Sequence, residues 1–109
     1  MGEKNRYSDE ELKEFEDLIL KKLRVAREDR DSYKKELASE ENKRSLSKED
    51  LNKLVERYIN YIFKLELALL RIKKKTYGIC RETGKLISKE RLRSVPHATL
   101  SIDVKMCSN

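Results

Sequence analysis

Tryptophan is absent from this 109-residue sequence, and there is one histidine, one proline, three glycines and two cysteines. Each scarcity excludes something. The lone histidine, His97, has no neighbouring Cys, Ser or Asp arrangement that would make a nucleophile and its base, and no glycine-rich phosphate loop is present, so an enzyme is not expected. With aromatic residues at 6%, the 38% apolar fraction is mostly aliphatic, which suits helices packed along narrow seams. No apolar run approaches the roughly 20 residues that span a bilayer, and residues 1–7 lack the apolar stretch of a signal peptide. The two cysteines, Cys80 and Cys107, sit in different contexts, which reads as reduced thiols in a cytoplasmic protein.

Charge is what the sequence has in quantity. Charged residues make up 42% of the chain, leaving little apolar material for a thick core, so a long, thin, helical shape is expected. A formal charge of +6 and a pI near 9.3 favour a polyanionic or acidic partner. The 26 basic residues are interleaved with 20 acidic ones, however, and such mixing also describes an ordinary solvated helical face.

Ser8 with Glu11 three residues on predicts a helix start with a capping box. Leu12, Phe15, Ile19, Leu23, Ala26, Tyr33 and Leu37 then recur at helical steps, interrupted only at Arg30, over about 45 Å. The polar segment 38–46 is the expected reversal, although no Gly or Pro enforces it. Ser47 with Glu49 and Asp50 predicts a second start. Leu51, Val55, Tyr58, Ile62, Leu65, Leu69 and Ile72 alternate steps of four and three, the seam of a coiled coil. A short connection makes the first helix the nearest partner for that seam, giving an antiparallel hairpin over residues 8–75 after a disordered tail at 1–7. Ile59, Phe63, Leu67 and Leu70 are expected to widen the buried face and receive the C-terminal segment. Gly78 is the expected left-handed cap after the basic run at 73–75. Beyond it, at 76–109, composition changes, and a small module with a single helical turn near residues 88–94 and a two-stranded hairpin is expected.

The stretch YGICRETGKLISKERLRSVPHATLSIDVK, residues 77–105, resembles the C4-type zinc-finger region of the DksA/TraR family of bacterial transcription factors. The resemblance places Cys80, Thr83, Ser101 and Val104 at the four ligand positions, with Arg91, Leu92, Pro96, Ala98 and Leu100 keeping the intervening pattern. The upstream hairpin is also what the family has, so the fold class implied is mainly α, a long helical hairpin followed by a zinc-ribbon-like module. A structural zinc normally takes four Cys or His ligands. One thiol, two hydroxyls and a valine therefore predict that zinc is not held, and that apolar packing of Ile79, Leu86, Ile87, Leu92, Val95, Leu100 and Ile102 replaces it. His97 and Cys107 lack the spacing of a ligand pair and read as a loop histidine and a free tail thiol.

The resemblance further implies binding to RNA polymerase, with the hairpin tip inserted into the secondary channel. The family's acidic tip motif, Asp-x-x-Asp-x-Ala, has no counterpart here; Glu40 and Glu41 stand either as its acidic function or as solvated loop residues. Guanosine tetraphosphate is the candidate effector, and the matching basic positions are Arg57, Lys64 and Lys105. Arg57 and Lys64, seven residues apart, lie on one helix face. A monomer without sequence-specific DNA binding is expected. Two other readings stay open: an adaptor coiled coil without polymerase activity, and a basic nucleic-acid-binding protein.

Overall fold

The computed structural model describes residues 5–39 and 46–101 of the chain. Ser8 opens the first helix through a reciprocal capping box: its hydroxyl accepts the Glu11 amide at 3.1 Å, and the Glu11 carboxylate accepts the Ser8 amide at 2.9 Å. Helix α1 then runs Asp9–Ala38. Ser47 starts α2, Lys48–Lys73, by accepting the Asp50 amide at 3.1 Å. Lys48 reaches back across the reversal and donates to the Leu37 and Ser39 carbonyls at 3.1 and 3.2 Å, which satisfies acceptors that the end of α1 leaves unpaired. The tip itself, including Glu40 and Glu41, lies outside the described residues.

The cross-helix partners establish the direction. Arg27 pairs with Glu66 at 3.5 Å, and Tyr33 stacks on Tyr58 with centroids 5.6 Å apart. Later residues of α1 thus meet earlier residues of α2, as in an antiparallel hairpin. Leu12, Phe15, Ile19, Leu23 and Ala26 of α1 are buried, as are Leu51, Val55, Ile62, Leu65, Ala68 and Ile72 of α2. Tyr58 and Leu69 are only partly buried, and Ala68 takes a place in the core instead.

The widening of α2 differs from expectation. Ile59, Phe63 and Leu70 are 45%, 59% and 46% exposed, and Leu67 is half-buried. At 100° per residue, positions 59, 63 and 70 share one stripe, while Ile62, Leu65 and Leu69 turn to α1. The face that meets the C-terminal module carries Tyr61, Lys64 and Arg71 instead, with the Tyr61 ring edge-on to His97 at 5.5 Å.

The helix stop is also built differently. Lys75, at φ +64°, is the left-handed residue. Its amide donates to the Ile72 carbonyl at 3.0 Å and the Thr76 amide to the Arg71 carbonyl at 2.9 Å, the paired bonds of a Schellman motif. Gly78, at φ +79°, lies beyond the helix and serves close packing: a Cβ there would sit 2.6 Å from Cε2 of Tyr7. The expected two-stranded hairpin reduces to a single antiparallel bridge between Ile79 and Leu86. Helix α3, Lys89–Ser94, follows and is capped by Ser88.

Tyr7, assigned by sequence to the tail, is 4% exposed. Its ring meets Phe15 edge-on at 5.6 Å, Phe15 in turn meets Tyr77 at 5.3 Å, and its hydroxyl donates to the Ile87 carbonyl. Tyr77 is fully buried and donates to the Pro96 carbonyl at 2.8 Å. Ile87 and Leu92 complete this core, with Leu86, Val95 and Leu100 packed against it; Ile102 lies outside the described residues. Full burial of a large side chain contributes about 1.5–3 kcal/mol, so these residues tie the module to the base of the hairpin.

Candidate functional site

Two features of the module have chemistry to offer. The first is the turn around Cys80. The Cys80 amide donates to the Lys85 carbonyl at 2.8 Å and the Gly84 amide returns to the Cys80 carbonyl at 2.9 Å, with Gly84 at φ +73° closing the turn. Opposite it, the Arg81 amide donates to the Thr99 carbonyl at 2.8 Å, which brings Ser101 alongside. The Ser101 amide then donates to Cys80 Sγ at 3.4 Å, and the Ser101 hydroxyl lies 3.9 Å from the sulfur. Donation from Thr83, followed by the Ser101 amide, pulls the Cys80 thiol down from 9.0 to about 6, which favours the thiolate. Three of the four sequence-matched positions thus do converge. Val104 lies outside the described residues, as does Cys107.

The second feature is a pocket of about 270 Å³ where α2 meets the module, lined by Lys64, Arg71, Arg81, Arg91, Val95, His97, Ala98, Thr99 and Leu100. Lys64 and Arg71 come from α2, two turns apart on one face; Arg81 follows the Cys80 turn; Arg91 comes from α3. The Arg91 Nε donates to the Leu100 carbonyl at 2.9 Å, which fixes that guanidinium at the rim. Arg71 Nη1 is buried without an acceptor among the described residues. Burial, and next the Arg81 charge, push the Arg71 guanidinium below its ordinary value, opposed by the Tyr77 hydroxyl.

Of the basic positions singled out by sequence, Lys64 lines this pocket. Arg57 lines a separate hollow with Leu46, Asp50, Lys53 and Leu54, and Lys105 lies outside the described residues. The seven-residue pair at the pocket is Lys64 with Arg71. The same spacing in the sequence was a signal for it, but nothing local marks Arg81 and Arg91 as its companions.

Residues 75–105 match the sequence model described as the prokaryotic dksA/traR C4-type zinc finger. Among solved structures, the chain is similar to the transcription factor DksA2 from Pseudomonas aeruginosa, with a TM-score of 0.79 and 27% identity over 89% of this chain and 81% of that one. No curated protein gives a match.

The zinc-finger match corrects the expectation that zinc is not held: the segment conforms to a C4-type finger, which points to zinc binding. That expectation counted ligands and took no account of shape. The structure keeps the Cys80 turn and aims the Ser101 backbone amide at its sulfur, as a ligating sulfur requires. Cys80 is the residue that would hold a metal. The donors described beside it are the Thr83 and Ser101 hydroxyls, which fall short of a four-ligand nitrogen and sulfur set. No group of three or more His, Cys, Asp or Glu side chains gathers among the described residues. No step below is routed through a metal.

Proposed function

We propose that this chain, a protein of the DksA/TraR kind by its zinc-finger match and its likeness to DksA2, regulates transcription by docking on RNA polymerase, with its hairpin tip entering the secondary channel. The observation that carries this reading is the likeness to a transcription factor over 89% of the chain, hairpin and module together. A long two-helix lever fits a protein that acts sterically or allosterically on a larger machine, and its action is non-enzymatic.

In this reading Glu40 and Glu41 provide the acidic function at the tip, and guanosine tetraphosphate is the effector, contacted by Lys64 together with Arg57 and Lys105. The placement of Lys64 in a basic pocket supports a phosphate contact there. No helix among the described residues is long and apolar enough to cross a membrane.

The test is a pull-down of polymerase holoenzyme with the purified chain at micromolar concentration. Association is expected, and replacing both Glu40 and Glu41 by Ala should alter transcription from responsive promoters while leaving most of the binding intact. Absence of association at that concentration overturns the proposal.

A further inference from the structure

α2 buries one face against α1 and a second against the module, yet Phe63 is 59% exposed, Leu70 46% and Ile59 45%. Steps of four, three and four lead from Ile59 through Phe63 and Glu66 to Leu70, the same alternation that makes the seam toward α1. Arg27 of α1 pairs with Glu66 in the middle of this stripe at 3.5 Å, which puts Leu20, seven residues before Arg27 and 47% exposed, on the same flank of the hairpin. Four of the six large apolar side chains exposed among the described residues thus share one flank, whereas isolated ones would be scattered. The module leaves that flank clear: the α2 residues it meets, Tyr61, Lys64 and Arg71, lie on the opposite side of the helix.

The order of side chains along the open seam says what fits it. Glu56 precedes Ile59 by three residues and Lys73 follows Leu70 by three; both are exposed, and neither makes an ion pair among the described residues. Placed antiparallel against a second copy, with the two-fold axis between positions 64 and 65, Ile59 meets Leu70, Phe63 meets the stem of Glu66, and Glu56 meets Lys73 at both ends. Other registers are worse. A shift of one heptad sets Glu56 against Glu66 in one direction and Lys73 against Phe63 in the other, and a parallel pairing sets Glu56, Glu66 and Lys73 each against its own copy. The seam is therefore complementary in shape and charge to itself, in one orientation.

We propose that the outer seam of α2 at 59–70 is a self-association face, on which two copies of this chain pair antiparallel into a four-helix section with both modules on the outside. A seam of about three turns offers less than the roughly 800 Å² per partner of a stable interface, so the dimer is weak and forms as concentration rises. The monomer expected from sequence is the dilute form. The pairing does not rest on the polymerase reading.

The test is sedimentation velocity of the full chain in reducing buffer, from low to high micromolar concentration. Wild type is expected to shift reversibly from monomer to dimer. Phe63→Gln, at an exposed site outside the core, should weaken the dimer by about tenfold or more while keeping the helix content and Tm of wild type. Glu56→Lys alone and Lys73→Glu alone should each weaken self-association, because each sets like charges together at both ends. An equimolar mixture of those two variants should restore pairing as a heterodimer. A chain that stays monomeric throughout overturns the proposal, as does a dimer untouched by Phe63→Gln or a mixture no tighter than its separate components. Loss of the polymerase pull-down in Phe63→Gln, with wild type monomeric at every concentration, assigns the face to polymerase and overturns it too. Dimerisation of a wild type that fails to pull down polymerase supports the pairing and sinks only the polymerase reading.

Discussion

Removing the Tyr7 ring should release the C-terminal module from the hairpin. Tyr7 is 4% exposed, packs against Phe15 and the bare backbone of Gly78, and donates to the Ile87 carbonyl. Tyr7→Phe keeps the ring and deletes the donor, leaving a buried carbonyl short of its partner, at a cost of about 1–3 kcal/mol. Tyr7→Ala also opens a cavity and should cost about 3–5 kcal/mol. In a chain of this size that corresponds to a fall in Tm of at least about 10 °C. Hydrogen exchange should locate the loss: the Ile87 amide, bonded to the Gly78 carbonyl, and the Cys80 amide, bonded to Lys85, should lose protection before amides in the middle of α1.

Gly78→Ala supplies the control. Alone, it forces a Cβ to within 2.6 Å of the Tyr7 ring and places a side chain at φ +79°, so both clash and backbone strain destabilise it. In the Tyr7→Ala background the clash with the ring disappears, leaving the backbone cost and a tight 3.2 Å approach to Leu92 Cδ1, so the two substitutions should be clearly non-additive. If Tyr7→Ala changes stability by less than about 0.5 kcal/mol and leaves exchange at Ile87 untouched, the start of the chain is a tail after all, and the account of the joint is wrong.

Lys75 occupies the left-handed position of the α2 stop, where glycine is favoured by about 1 kcal/mol. Lys75→Gly should therefore be more stable than Lys75→Ala by about that amount in urea melts, since both variants lose the same exposed pair with Asp9; equal stability would refute it. Cys80 is an acid whose pKa falls from 9.0 to about 6 on folding, so its contribution to stability is fully present above about pH 9 and is lost as pH falls through about 6. With Cys107→Ser and a chelator present, the thiolate absorbance should titrate near pH 6, and the Tm advantage over Cys80→Ser should shrink on acidification; a midpoint near 9 would refute it.

The hairpin was readable because its determinants are local. A Ser three residues before an acidic residue, and apolar side chains at three- and four-residue steps, act within a turn or two, and both N-caps and most of both seams appear where they were expected, Ala68 being buried in place of Leu69. What was not readable depends on partners distant in sequence. Tyr7 looks like tail until Ile87, 80 residues on, brings a carbonyl to its hydroxyl. Apolar residues on α2 outnumber the places available, and periodicity cannot say that Tyr61, rather than Phe63 and Leu70, meets the module. Ligand counting went astray for a related reason: it reads side chains, whereas the Cys80 turn within the matched zinc-finger segment is made by backbone bonds to Lys85 and Gly84.

The two sides of the joint have opposite character, and that bears on how a hairpin lever could be controlled. On one side Tyr7, Phe15, Tyr77 and Ile87 form a buried core reinforced by the hydroxyls of Tyr7 and Tyr77, and the hydrophobic part of that contact is insensitive to salt or ligands. On the other side Lys64 and Arg71 of α2 face Arg81 and Arg91 of the module across a pocket with no lining carboxylate. The aromatic side fixes where the module sits. The cationic side sets like charges from the two elements against each other across the same joint, so it opposes the contact that the aromatic side secures, and salt, which screens that repulsion, is what this side responds to.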